Sequence, residues 1–173
     1  MRIIRDYQFI AAEDRGAVAA IGNFDGVHLG HQAALDLVRK IAKDSNSHVG
    51  TLTFEPHPRE YFSPKSAAFR LMSADAKANR LEKLGVERLY QLNFNAALSA
   101  LSAREFARDV IYKALGLTHV IVGADFCFGK GRTGTASDLI NFGEEFGFKV
   151  TIAELLKDND QVFSSTAIRN ALS

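Results

Sequence analysis

The chain has 173 residues, 21 Lys and Arg against 20 Asp and Glu, a formal net charge of +1 and 47% hydrophobic residues. That length builds one domain with a sizeable core, and the charge balance gives no case for a nucleic-acid or polyphosphate-polymer partner, so any anion site must come from local geometry. One cysteine, Cys127, excludes an intrachain disulfide and a multi-cysteine zinc site. No stretch approaches the roughly 18 apolar residues of a membrane span, and the N-terminus carries Arg2, Arg5, Asp6, Glu13, Asp14 and Arg15, unlike a signal peptide. The sequence reads as a soluble, cytoplasmic protein with no membrane partner.

Ala17–Ile21 is an apolar strand candidate that runs into Gly22-Asn23-Phe24-Asp25-Gly26-Val27-His28-Leu29-Gly30-His31, and a helical pattern continues through Leu35, Leu37, Val38 and Ile41 to about Lys43. Glycines let the backbone turn and approach a ligand, and the two histidines, three apart, share a face of an opening helical turn whose N–H groups suit phosphate. A shared metal ion is a weaker reading, because Asp25 is the one further ligand nearby and no metal-ligand set can be named. Val49–Phe54 is the second strand, stopped by Glu55-Pro56-His57-Pro58, where two prolines predict a stiff, extended loop. Ser73 caps a predicted helix through Leu84 with Gly85 behind it, and Arg88–Phe94 is the third strand.

Ser102 and Glu105 form a capping-box pattern ahead of Phe106, Val110, Ile111 and Leu115, with Gly116 closing that helix. His119–Val122 is a short strand feeding the loop Gly123–Gly134. A helix over about Ala136–Phe146, Gly147, a strand over about Phe148–Leu155 and the turn Lys157–Asp160 follow. Gln161-Val162-Phe163 then leads into a last short helix opened by Ser164-Ser165-Thr166 and carrying Ile168, Arg169 and Leu172. Strands alternating with helices predict an α/β fold with a mostly parallel sheet and helices on both faces. Ligands of such sheets bind beyond the carboxyl ends of the strands, where the strand order reverses. The stretches Gly22–His31, Gly123–Gly134 and Ser164–Arg169 each follow a strand and can meet there.

In the second of these, Asp125-Phe126-Cys127-Phe128-Gly129 alternates two rings. This fits either one buried and one surface ring or, with Phe54–Pro58, Tyr61 and Phe62, a slot for a flat aromatic ligand. Cys127 has no activating neighbour and reads as structural or slot-lining. A P-loop and a Gly-x-Ser-x-Gly elbow are both missing, which argues against a P-loop NTPase and an α/β hydrolase.

Four motifs, Gly22–His31, Thr53-Phe54-Glu55-Pro56-His57-Pro58, Asp125–Gly134 and Phe163-Ser164-Ser165-Thr166-Ala167-Ile168-Arg169, occur in an order that resembles the FMN adenylyltransferase module of bacterial bifunctional riboflavin kinase/FAD synthetase. The resemblance covers almost the whole chain, 1–173, as one domain. It implies a Rossmann-like nucleotidyltransferase fold and the reaction FMN + ATP → FAD + pyrophosphate with Mg²⁺. It also implies that His28, His31, Ser165, Thr166 and Arg169 act on the phosphates. Gly22, Asn23, Phe24, Asp25, Gly30 and Gly123 would line the ATP site, and Phe54, Pro56, Pro58, Phe62, Asp125, Phe126 and Phe128 the flavin site. Cys127 stands where the family often has arginine, so that position offers FMN phosphate no guanidinium. The family's usual protein continues past the point matching Ser173 into a riboflavin kinase module, and the 173 residues alone are not expected to phosphorylate riboflavin. Two alternatives are another small-molecule nucleotidyltransferase of the same fold, acting on phosphopantetheine or an alcohol phosphate, and a flavin-binding module without transfer activity.

Overall fold

The computed structural model describes residues 1–24, 29–56, 58–62, 73–153, 157–158 and 161–162. Its strands are β1 (Arg2–Ile4), β2 (Val18–Ile21), β3 (Val49–Glu55), β4 (Arg88–Asn93), β5 (His119–Gly123), β6 (Cys127–Phe128), β7 (Gly134–Thr135), β8 (Lys149–Ala153), β9 (Lys157–Asp158) and β10 (Gln161–Val162). The helices are α1 (Leu29–Ser45), α2 (Pro58–Phe62), α3 (Ala74–Lys83), α4 (Ala96–Ser99), α5 (Ala103–Glu105) and α6 (Ala136–Phe146), and α5 runs on as a π-helical segment, Phe106–Ala114.

Val18–Ile21 is buried at all four positions, as expected for a strand covered on both faces. It lies inside a six-stranded sheet ordered β1-β4-β3-β2-β5-β8, in which every neighbouring pair is parallel. The chain lays down β2, β3 and β4 in one direction and then crosses back to place β5 and β8 on the other side of β2. The order therefore reverses between β2 and β5, which pair from Val18↔His119 to Ala20↔Ile121.

Alternating residues of β2 serve opposite cores. Val18 and Ala20 join Leu35, Val38 and Ala42 of α1, Ala78 and Leu81 of α3, and Leu89 and Ile121. Ala19 and Ile21 join Leu52, Leu92, Val120, Phe106, Val110 and Ile111 of the π-helical side, and Leu139 of α6. Helices thus cover both faces, as the alternation predicts, and each fully buried leucine contributes about 1.5–3 kcal/mol.

Several elements depart from expectation for local reasons. β1 has no apolar alternation and is held by its ladder to Arg88–Tyr90 and by a buried carboxylate. Asp14 Oδ2 accepts from Arg2 at 2.8 Å, and its Oδ1 lies 2.7 Å from Arg88 Nε. The Tyr90 hydroxyl donates to the Asp14 carbonyl, and burial holds that phenol far above its ordinary pKa, with the Asp14 charge adding to the effect. The stiff proline loop is shorter than expected, because Pro58 opens α2, where its missing N–H is no loss.

The capping box forms as read: Glu105 N donates to Ser102 Oγ at 3.1 Å and Ser102 N to Glu105 Oε1 at 3.0 Å. The helix beyond it is not α. Leu115 N reaches Val110 O at 2.9 Å, a five-residue step. α6 ends where the reading places it, Gly147 behind it turns out to be a left-handed cap (φ 114), and Thr135 with Asp138 adds a second capping box. The loop Gly123–Gly134 contains an antiparallel pair, Cys127↔Thr135 and Phe128↔Gly134. Gly129 (φ 79) seats that pair against α5, where a Cβ would lie 2.5 Å from Ala103 N. Lys157–Asp158 pairs antiparallel with Gln161–Val162 around the predicted turn. The helix predicted from Ser164 lies outside the described residues.

Candidate active site at the carboxyl edge of the sheet

At the reversal point β2 ends in Gly22-Asn23-Phe24 and β5 in Gly123-Ala124-Asp125, side by side. Gly22 N donates to Leu52 O at 3.1 Å, tying the first turn to β3. Phe24 adopts a left-handed backbone (φ 53), and its ring is 2% exposed, packed 4.8 Å from the His31 ring at a 49° tilt. His31 is half-buried in the first turn of α1, beside buried Gly30. Asn23 Oδ1 is buried with no hydrogen-bond partner among the described residues, an acceptor in need of a donor. On the other turn, Phe126 N donates to Gly123 O at 3.1 Å. Asp125 Oδ1 lies back over Gly123, 3.1 Å from where a Cβ would stand.

The other side of this edge is built of rings. Phe62, Phe94, Phe54, Phe106, Phe128 and Phe126 form an unbroken run, with successive centroids 5.8, 5.7, 6.1, 6.0 and 5.4 Å apart. Most contacts are tilted or edge-on, and the last is stacked at 14°. The inner members, Phe106 and Phe128, are buried, whereas Phe62 is 66% exposed and Phe126 half-buried. The run therefore leaves the core and surfaces at the sheet edge. A cleft of about 570 Å³, lined by Arg5, Tyr7, Glu55, Gln91 and Asn93 among others, opens at the ends of β3 and β4.

A family model described as FAD synthetase matches residues 10–167. The chain belongs to the FAD synthetase family. Relatives described as bifunctional riboflavin kinase/FMN adenylyltransferase include those of Pseudomonas fluorescens, 41% identical over all of this chain and 55% of the relative, and Escherichia coli K12, 36% identical over all of this chain and 56% of the relative. That of Bacillus subtilis 168 is 33% identical over 99% of this chain and 54% of the relative. The chain thus spans about half the length of the relatives it matches. A crystal structure from Streptococcus pneumoniae, described as a macrolide-efflux protein, superposes with a TM-score of 0.84 at 29% identity, over 98% of this chain and 56% of that one. Among the described residues no helix is long and apolar enough to cross a membrane.

Against the site that the family resemblance implies, the fold brings Gly22, Asn23, Phe24, Gly30, His31, Gly123 and Asp125 to one edge and strings Phe54, Phe62, Phe126 and Phe128 along one run of rings. Pro56, just past β3, and Pro58, at the start of α2, are half-buried. Asp25, His28, Ser165, Thr166 and Arg169 lie outside the described residues. Three further residues belong to this edge. Phe94 and Phe106 complete the run, and both carried a signal, one ending the Arg88–Phe94 alternation and the other following the capping box. Lys77 carried none. It occupies a helix that reads as ordinary surface, yet it is 4% exposed and its Nζ donates to the Asn23 carbonyl at 3.1 Å.

Proposed function

We propose that these 173 residues transfer the adenylyl group of ATP to FMN, giving FAD and pyrophosphate. The observation that carries this reading is the juxtaposition at one sheet edge of the Gly22–Phe24 and Gly123–Asp125 turns with a run of rings that surfaces as a wall for a flat ligand. The names of the relatives supply the reaction, and the flavin wall favours it over a nucleotidyltransferase for a non-aromatic acceptor.

The nucleophile is a phosphate oxygen of FMN. A phosphate monoester, with its second pKa of about 6, is already anionic at neutral pH, so the step needs no general base. That oxygen forms a bond to the α-phosphorus of ATP while the bond to pyrophosphate breaks in line. The protein's part is to position the two anions and offset the charge that builds between them. In this reading His28, His31, Ser165, Thr166 and Arg169 hold the phosphates. Gly22, Asn23, Phe24, Asp25, Gly30 and Gly123 surround the nucleotide, with Phe24 contributing backbone while its ring supports His31. Phe54, Pro56, Pro58, Phe62, Asp125, Phe126 and Phe128, joined by Phe94 and Phe106, take the flavin.

Mg²⁺ would ride on the ATP phosphates and neutralise charge there. Among the described residues no three His, Cys, Asp or Glu side chains converge, and the exposed Asp125 carboxylate is the kind of single oxygen ligand that a nucleotide-borne Mg²⁺ accepts. The riboflavin kinase activity in the relatives' names is assigned to the part of them that this chain does not match. Use of ATP and FMN fits a cytoplasmic location.

The test is incubation of the purified chain with FMN, ATP and Mg²⁺, followed by chromatography for FAD and an assay for pyrophosphate. Both products are expected, and His28→Ala should lower turnover by about two orders of magnitude or more. FMN binding without FAD formation would instead make this a flavin-binding module, and turnover of phosphopantetheine in place of FMN would make it a different nucleotidyltransferase.

A further inference from the structure

A buried ammonium four residues into a helix is an unfavourable thing to build. Lys77 is 4% exposed in the opening turns of α3, where the helix dipole is positive and the side chain is shielded from bulk solvent. If filling space were its task, a methionine would serve at least as well. What the lysine provides is a link between two loops. Its Nζ donates to the Asn23 carbonyl at 3.1 Å and lies 3.8 Å from Glu55 Oε2. Asn23 belongs to the turn after β2, on the nucleotide side, and Glu55 ends β3 next to Pro56, on the acceptor side.

The turn it holds is strained. Phe24, the next residue, sits in the left-handed region at φ 53, a conformation that a non-glycine residue keeps when its surroundings over-determine it. On one side the Phe24 ring is pinned beneath His31 and in the core of the α1/α3 face. On the other side the preceding carbonyl is held by Lys77. α3 itself is fixed by the Ser73 cap, Ala76 N donating to Ser73 Oγ at 3.1 Å, and by buried Ala78 and Leu81.

We propose that Lys77 is a positioning residue for adenylyl transfer: through the Asn23 carbonyl and the Glu55 carboxylate it sets the nucleotide turn against the acceptor loop, and so the alignment of the attacking phosphate with the α-phosphorus. This rests on the transfer reading above. The two loops bear on different substrates, so loosening their mutual placement affects the bonding step more than the binding of either ligand.

The experiment compares wild type, Lys77→Met, Lys77→Arg and Glu55→Gln in steady-state FAD formation, with thermal melts of each. Lys77→Met is expected to melt below wild type, because the Asn23 carbonyl and the Glu55 carboxylate lose its ammonium, and in the folded protein to keep KM for ATP and for FMN within about threefold while losing about 10- to 100-fold in kcat, the range for small misalignments of reacting groups. Lys77→Arg, which keeps a charged donor, should recover most of that loss. A folded Lys77→Met with kcat within about threefold of wild type, equal losses in the methionine and arginine variants, or a change confined to KM would overturn the proposal. Should Lys77→Met not fold, Glu55→Gln decides: a kcat loss of about tenfold at unchanged melting temperature supports the link, and unchanged kcat refutes it. Absence of FAD from the wild-type chain would sink the transfer reading itself, a result separate from all of these.

Discussion

The two faces of the sheet are packed by different chemistry. The α1/α3 face is aliphatic, with Leu35, Val38, Leu81, Leu89 and Ile121 around the buried Phe24. The opposite face holds Tyr90, Phe106, Phe128 and Phe148 in the core, with Phe54, Phe94, Phe126, Phe142 and Phe146 against them. Both are apolar in their interior and end differently at the carboxyl edge. The aliphatic side stops, and Asn23, His31 and Lys77 take over, which suits a charged nucleotide. The aromatic side carries on into solvent, so the proposed acceptor wall is the core's own outer layer. One sheet thus offers a polar half-site and a flat apolar half-site because its two cores are truncated by different residues.

This contrast makes inner and outer rings separable. Phe106→Ala should destabilise by about 3–5 kcal/mol, as removal of a buried ring does, and should weaken FMN use as well; urea melts and FMN KM read the two effects. Leu81→Ala on the aliphatic face should cost about 2–5 kcal/mol while leaving FMN KM unchanged in the folded fraction, and a raised FMN KM would break the distinction between the faces. Gly129→Ala should cost about 1–3 kcal/mol, since a left-handed position meets a Cβ contact with the α5 backbone. Phe126→Ala, at the exposed end, should change stability little and raise FMN KM about three- to tenfold, the 0.5–1.5 kcal/mol of one ring–ring contact.

The smallest effect is one of pH, at the amino end of β5. Burial lowers the His119 pKa below its ordinary 6.5, with nearby Lys149 adding to the shift. The unfolded chain therefore binds this proton more readily, and stability is lost as pH falls from above about 6.5 through the lower folded value. His119→Gln should flatten that part of the stability–pH curve in denaturant melts at pH 7.5, 6.5 and 5.5, and an unchanged slope would argue against it.

Much of this was legible from residue patterns, because the signals were local. The Ser102–Glu105 box, the break at Gly147 and the all-apolar β2 are each decided within a few residues of themselves. The missed features were decided at a distance. β1 exists through Arg88–Tyr90, some 85 positions away, and through Asp14. The burial of Lys77 depends on a carbonyl 54 positions earlier. Phe106, Val110, Ile111 and Leu115 were read as an ordinary helix face although their spacing is 4, 1 and 4. At about 100° per residue that spacing would scatter Ile111 and Leu115 to the far side. At roughly 82°, for turns closed by five-residue hydrogen bonds, all four point the same way.

That wider turn sets the azimuth of Phe106, the ring between Phe54 and Phe128 in the aromatic run. Deleting one residue from its exposed side, such as Lys113, would leave a sequence free to close ordinary four-residue turns, and nothing in helix propensity would resist it. The segment ahead of the deletion would then arrive rotated by about 100° against the rest. Phe106 would swing away from Phe54 and Phe128 with every side chain of the site still present in the chain. On the proposed reading, acceptor recognition is encoded partly as phase, a property of how many residues separate the capping box from the next strand, and a length change can erase it where no substitution has occurred.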